Sequence, residues 1–81
     1  MYTEYIGTII KQRRKEQHIS QECLGEFSKV SKQTISNIES GESETSYIVF
    51  LRICDFLSID PREILHLIKI LDEAHAESVP E

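Results

Sequence analysis

A chain of 81 residues, 40% of them hydrophobic, has enough apolar side chains for one small core and too little length for a second domain. The longest apolar runs are only a few residues, and the opening MYTEYIGTIIKQRRK has no charged start leading into an uninterrupted hydrophobic stretch. Neither a membrane span nor a signal peptide is therefore expected, and a cytoplasmic location is. The formal net charge of −5 argues against a polyanion partner until it is mapped: residues 1–41 carry six basic against five acidic side chains (+1), and residues 42–81 three against nine (−6).

No internal repeat or low-complexity block interrupts the chain, and the apolar residues recur at helical rather than strand spacing. Ile6 and Ile10, continued by Arg14, predict a first helix over 3–17. Ser20 caps a second over 21–28, with Leu24 and Phe27 as its apolar positions; Ser31 caps a third over 32–39, with Ile35 and Ile38. Gly41 closes the third helix and begins the polar linker GESETS, from which Thr45 or Ser46 caps a fourth over 46–57, built on Phe50, Leu51, Cys54 and Leu57. In DPRE, Asp60 is the cap, Pro61 the first helical residue and Glu63 is placed to reach back as in a capping box. This opens a fifth helix from 61 to about 75, with Ile64, Leu65 and Ile68. The expected class is all-α, with one domain over 1–71 and a polar tail over 72–81 that continues or frays from the fifth helix. Cys23 and Cys54 lack CxxC spacing and lie inside helical patterns, which predicts reduced thiols that pack as small apolar groups.

The stretch SQECLGEFSKVSKQTISNIE carries the most specific pattern. Helices of about eight residues are marginal alone, so tertiary packing must hold the second and third. Two short helices joined by a tight turn, the second with polar side chains outward, form a helix-turn-helix arrangement. Leu24, Val30, Ile35 and Ile38 fall where such a motif buries apolar groups, and Gly25 is small enough to let the helices approach.

These residues, with IGTIIKQRRKEQHISQ before them and FLRICDFLSIDPREIL after, resemble the Cro and phage-repressor type of helix-turn-helix domain, the XRE family, over residues 6 to about 68. The resemblance implies a compact, five-helix, lambda-repressor-like DNA-binding domain whose helix-turn-helix is made by the second and third helices. It places Lys32, Gln33 and Asn37 on the outward face of the recognition helix, with Ser36 and Thr34 beside them for a base or phosphate contact. Glutamine or asparagine can bind adenine bidentately and lysine can donate to guanine; a merely solvated helix face is the alternative. Gln21, at a helix N-terminus that attracts anions, matches a phosphate-holding position. Lys29 can offer its amine to a phosphate. For Lys11, Arg13 and Lys15, phosphate contact and plain solvation stand level. Arg14 and Glu39 match a pair that bridges the first and third helices, which suits an arginine in an apolar stripe, because an unpaired buried guanidinium is costly.

The chain departs from the family where Lys29 stands for the usual glycine of the turn and His18 for a helix-ending glycine. It also lacks the common proline before the fourth helix. The fifth helix presents Ile64, Leu65, Leu67, Ile68, Ile70 and Leu71, more than one apolar face, so a twofold dimer through Leu67, Ile70 and Leu71 is expected, against the alternative of a fully intramolecular core. His66, Asp72 and His75 do not converge as a metal site, no nucleophile has a base and oxyanion donors beside it, and no cofactor is expected. The leading expectation is a non-enzymatic, dimeric repressor of double-stranded DNA with a palindromic site. The competing ones are an antitoxin or restriction-modification controller subunit whose main partner is a protein such as a toxin, and a scaffold that no longer binds DNA.

Overall fold

The computed structural model describes residues 3–78, with side chains to Ala74; Met1, Tyr2, residues 79–81 and the side chain of His75 lie outside the described residues. The chain folds as α1 (Thr3–Glu16), α2 (Gln21–Ser28), α3 (Lys32–Ser40), α4 (Tyr47–Leu57) and α5 (Pro61–Ser78), with no strand among the described residues. The five helices match the expected ones to within a residue or so, except that α5 runs on through residues 72–78, the start of the expected tail.

Serine caps open the three middle helices. Ser20 accepts from the Cys23 amide at 3.0 Å, Ser31 from the Thr34 amide at 3.0 Å and Ser46, not Thr45, from the Val49 amide at 3.2 Å. Before α5, Asp60 Oδ1 accepts from the Arg62 amide at 2.9 Å. Glu63 does not close a capping box: its carboxylate takes a 2.8 Å ion pair from Arg13, so α1 and α5 are tied across their surfaces. Arg13 thus has a partly exposed protein partner in Glu63.

The first four helices end alike. A residue in the left-handed region is followed by one whose amide turns back to the carbonyl five residues earlier, the Schellman closure that satisfies a helix's last carbonyls. The bonds are Ile19 N to Arg14 O (3.1 Å), Val30 N to Gly25 O (2.9 Å), Glu42 N to Asn37 O (2.9 Å) and Ile59 N to Cys54 O (2.8 Å). Only one of the four left-handed residues is glycine, Gly41 at φ 81°; His18, Lys29 and Ser58 hold φ of 58°, 63° and 58°. After each of those three comes a β-branched apolar residue, Ile19, Val30 or Ile59, which folds back into or against the core. The turn therefore takes a left-handed residue at Lys29 and accepts the steric cost of a side chain there.

The core is Ile10, Leu24, Ile35, Ile38, Ile53, Cys54, Leu57, Ile59 and Ile64. Phe27, expected among the apolar positions of α2, is 59% exposed and stacks on Phe56 of α4 with ring centroids 4.0 Å apart; the eight-residue helix is already filled on its inner face by Leu24, Gly25 and Ser28. Cys54 packs inside as expected, and burial, assisted by the Asp60 charge, pushes its thiol up to about 11; Cys23 is only half-buried. Gly7 sits where α1 crosses α3 so closely that a Cβ would strike the carbonyl oxygens of Ile38 and Glu39, and a Cβ on Gly25 would meet the Val30 carbonyl at 2.8 Å.

Beneath this packing lies an ion pair. Arg14 Nε and Nη2 donate to the two Glu39 carboxylate oxygens at 2.6 and 3.0 Å, and the third nitrogen, Nη1, donates to Ile19 O at 2.8 Å. The two side chains are only 10% and 2% exposed. A bidentate fork of this kind fixes direction as well as distance, and it joins α1, the α1–α2 turn and α3 at one point.

Two outcomes test this architecture by denaturant unfolding. Arg14→Met alone lowers stability by about 3 kcal/mol because it strands a buried carboxylate, whereas Arg14→Met with Glu39→Leu loses clearly less than the two single changes summed. Lys29→Gly raises stability by about 1 kcal/mol through relief of the left-handed backbone, where Lys29→Ala does not.

Candidate nucleic-acid interface

The inner face of α3 is Ile35, Ile38 and Glu39, all buried, so the helix cannot roll without exposing two isoleucines and unpairing Arg14. Helical spacing then sends Lys32, Gln33 and Asn37 to the other side: Lys32 and Gln33 are exposed and Asn37 half-buried, with Ser36 half-buried between them. Gln33 Nε2 donates to Asn37 Oδ1 at 2.9 Å, so these two amides act as a joined pair one turn apart. Ser31 and Thr34 share a hydroxyl hydrogen bond of 2.9 Å at the start of the helix, which already engages the half-buried Thr34.

Gln21 stands at the start of α2, half-buried, and its Nε2 donates to Glu39 Oε1 at 3.1 Å. The carboxylate that holds Arg14 therefore also holds Gln21, and α2's first side chain is fixed to the underside of α3. One Nε2 hydrogen and the carbonyl oxygen of Gln21 remain for another partner. Lys29, in the turn between the two helices, and Lys11, on α1, are both exposed. Glu22 and Glu26 are exposed on α2 itself, so the positive charge of the motif is confined to Lys29 and Lys32 at its turn.

The expected residues are thus gathered unequally. Lys32, Gln33, Asn37 and Ser36 share one helix and flank one face, Thr34 lies in its first turn with its hydroxyl bonded to Ser31, Gln21 is bonded from α2 to Glu39 near its end, and Lys11 belongs to a different element. Spacing along the sequence shows the Gln33–Asn37 link, since i and i+4 meet on a helix, but no local signal announces Gln21–Glu39 or the 2.7 Å bond from Gln17 Nε2 to Leu57 O. No group of three metal-capable side chains occurs among the described residues, nor is any described helix long and apolar enough to cross a membrane.

Comparison with solved structures finds the same fold in the clp gene regulator ClgR from Corynebacterium glutamicum, with a TM-score of 0.77 at 22% identity over 95% of this chain and 88% of that one. A comparison with curated proteins finds no match. The helix-turn-helix family profile matches residues 10–64, from the buried Ile10 of α1 to the buried Ile64 that begins α5's packing. With that match spanning most of the chain and the α2–turn–α3 geometry as described, the protein belongs to the helix-turn-helix family.

Proposed function

We propose that this protein is a sequence-specific DNA-binding transcriptional regulator that acts as a dimeric repressor on a palindromic site. The observation that carries the reading is the outward row Lys32, Gln33 and Asn37 on a helix whose opposite face is locked by Ile35, Ile38 and the Arg14–Glu39 pair. Amides and an ammonium are the groups that read base edges in the major groove. Lys29 and Lys11, the spare N–H of Gln21 and the hydroxyls of Ser31 and Thr34 would anchor phosphates, and Ser36 lies close enough to the row to share a base contact. The similarly folded ClgR is described as a gene regulator, which favours the regulatory part of the reading.

The apolar surface of α5 supports the dimer. Leu67 and Ile70 are 42% and 48% exposed, and with Leu71, Tyr5 and Ile9 they line an apolar groove of about 270 Å³ between α1 and α5. An exposed apolar groove of this kind marks an interaction site, and a second copy would cover it symmetrically. Two recognition helices then fall about one DNA turn apart, roughly 34 Å, which calls for matched half-sites. With only two lysines on the motif, phosphate attraction is weak, and pairing of two half-sites supplies affinity that one cannot. A bound dimer represses by occupying DNA that the transcription machinery needs.

Selection from a random duplex library, followed by sequencing, checks the DNA reading. Wild type enriches a twofold-symmetric sequence, with affinity that falls as salt rises, and Lys32→Ala/Gln33→Ala/Asn37→Ala abolishes the enrichment while the fold persists. Enrichment unchanged in the triple variant would remove these residues from the site. Ile70→Glu yields a folded monomer by sedimentation with at least tenfold weaker binding to the full site; a wild-type monomer at high concentration, with and without DNA, rules the dimer out.

A further inference from the structure

Resting on the DNA-reading face proposed above, we infer that Gln33 and Asn37 work as a single specificity unit, in which Asn37 braces Gln33 so that Gln33 reads adenine. A glutamine amide has two N–H donors and one carbonyl acceptor. In the free protein one Nε2 hydrogen of Gln33 is already given to Asn37 Oδ1 at 2.9 Å. When the hydrogen given to Asn37 is the one pointing away from Oε1, what Gln33 has left is one donor beside one acceptor. That is the complement of the major-groove edge of adenine, which offers N7 as acceptor and the N6 amino group as donor. Guanine presents two acceptors there, cytosine a donor and thymine an acceptor with a methyl group, so none uses both remaining groups of Gln33.

Within the outward row, Asn37 is suited to brace Gln33 through its Oδ1. It is half-buried where Gln33 is exposed, and its own backbone carbonyl is fixed by the Ser40 hydroxyl at 3.1 Å and by the amides of Glu42 and Ser43 at 2.9 and 3.3 Å. The brace therefore springs from the best-anchored turn of α3, next to Ile38 and Glu39 in the interior. An unbraced exposed glutamine samples many rotamers and can rotate its amide to offer two donors to guanine; held by Asn37, it is ordered before DNA arrives and keeps one presentation. Lys32 is exposed on the same face but has no hydrogen-bond partner in this unit, so its contribution is separate.

The test uses the full chain and the duplex library, followed by duplexes that differ at single base pairs. The position whose preference disappears in Gln33→Ala identifies the base Gln33 reads, and adenine is expected there, preferred over the other three bases by about tenfold to a hundredfold. Replacing that adenine with 7-deazaadenine removes most of the preference. Asn37→Ala, checked for an unchanged melting curve, reduces the preference at this same position, whereas Asn37→Asp, which keeps an acceptor for Nε2, retains the ratio even though its charge weakens overall affinity. Guanine at the Gln33 position, or an undiminished adenine preference in Asn37→Ala, overturns the brace while leaving DNA binding intact. If wild type enriches no sequence at all, the DNA-reading face itself is wrong and the unit falls with it.

Discussion

The fork from Arg14 to Glu39 is the constraint on which the remaining geometry depends. A guanidinium and a carboxylate withdrawn from water are costly apart, so the fold is stable only where α1 and α3 meet at the angle that joins them. That one contact fixes the roll of α3, the path of the turn after α1 through Ile19 O, and the start of α2 through Gln21. It is shielded from solvent, and salt therefore screens it far less than it screens Lys29 or Lys32. On the proposed reading, attraction to DNA and orientation of the reading helix respond to different conditions: ionic strength would strip the protein from a phosphate backbone without loosening that helix.

Much of this was legible beforehand because the signals were local or of a kind that physics forces. Helix starts follow from a serine or Asp60 just before an apolar run, and a charged residue in an apolar stripe demands a partner, for which the family resemblance offered Glu39 to Arg14. The failures have equally physical reasons. Glu63 suits a capping box, yet a guanidinium from α1 comes within reach and offers a full charge, a better partner than a backbone N–H; only the tertiary fold brings Arg13 there. Phe27 has helical spacing for the core, but the core beneath an eight-residue helix is filled by Leu24 and Ser28, and the ring stacks on Phe56 at the surface instead. Nothing local to Gly7 announces how closely α3 passes it.

The site was readable as a set of positions but not as a set of bonds. Helical period alone sends Lys32, Gln33 and Asn37 to one side once Ile35 and Ile38 are inside. Which hydrogen-bonding groups remain free depends on partners, and those were partly out of view. Gln21 is held from beneath by Glu39, Thr34 shares its hydroxyl with Ser31, and Gln33 shares one donor with Asn37. Each bond subtracts from what a side chain can offer and, in doing so, narrows what it can recognise.

The negative overall charge takes its meaning from the same economy. Three helix ends that glycine would fit without strain are filled by His18, Lys29 and Ser58. At Lys29 the strained backbone carries an ammonium at the point where α2 turns into α3, and on the proposed reading that charge is useful only when DNA is present. The strain is felt by the free protein at every moment, the charge only by the complex. A chain selected for stability alone would place glycine there; this one keeps a lysine, and so trades some of its own robustness for one of the two cations its motif possesses.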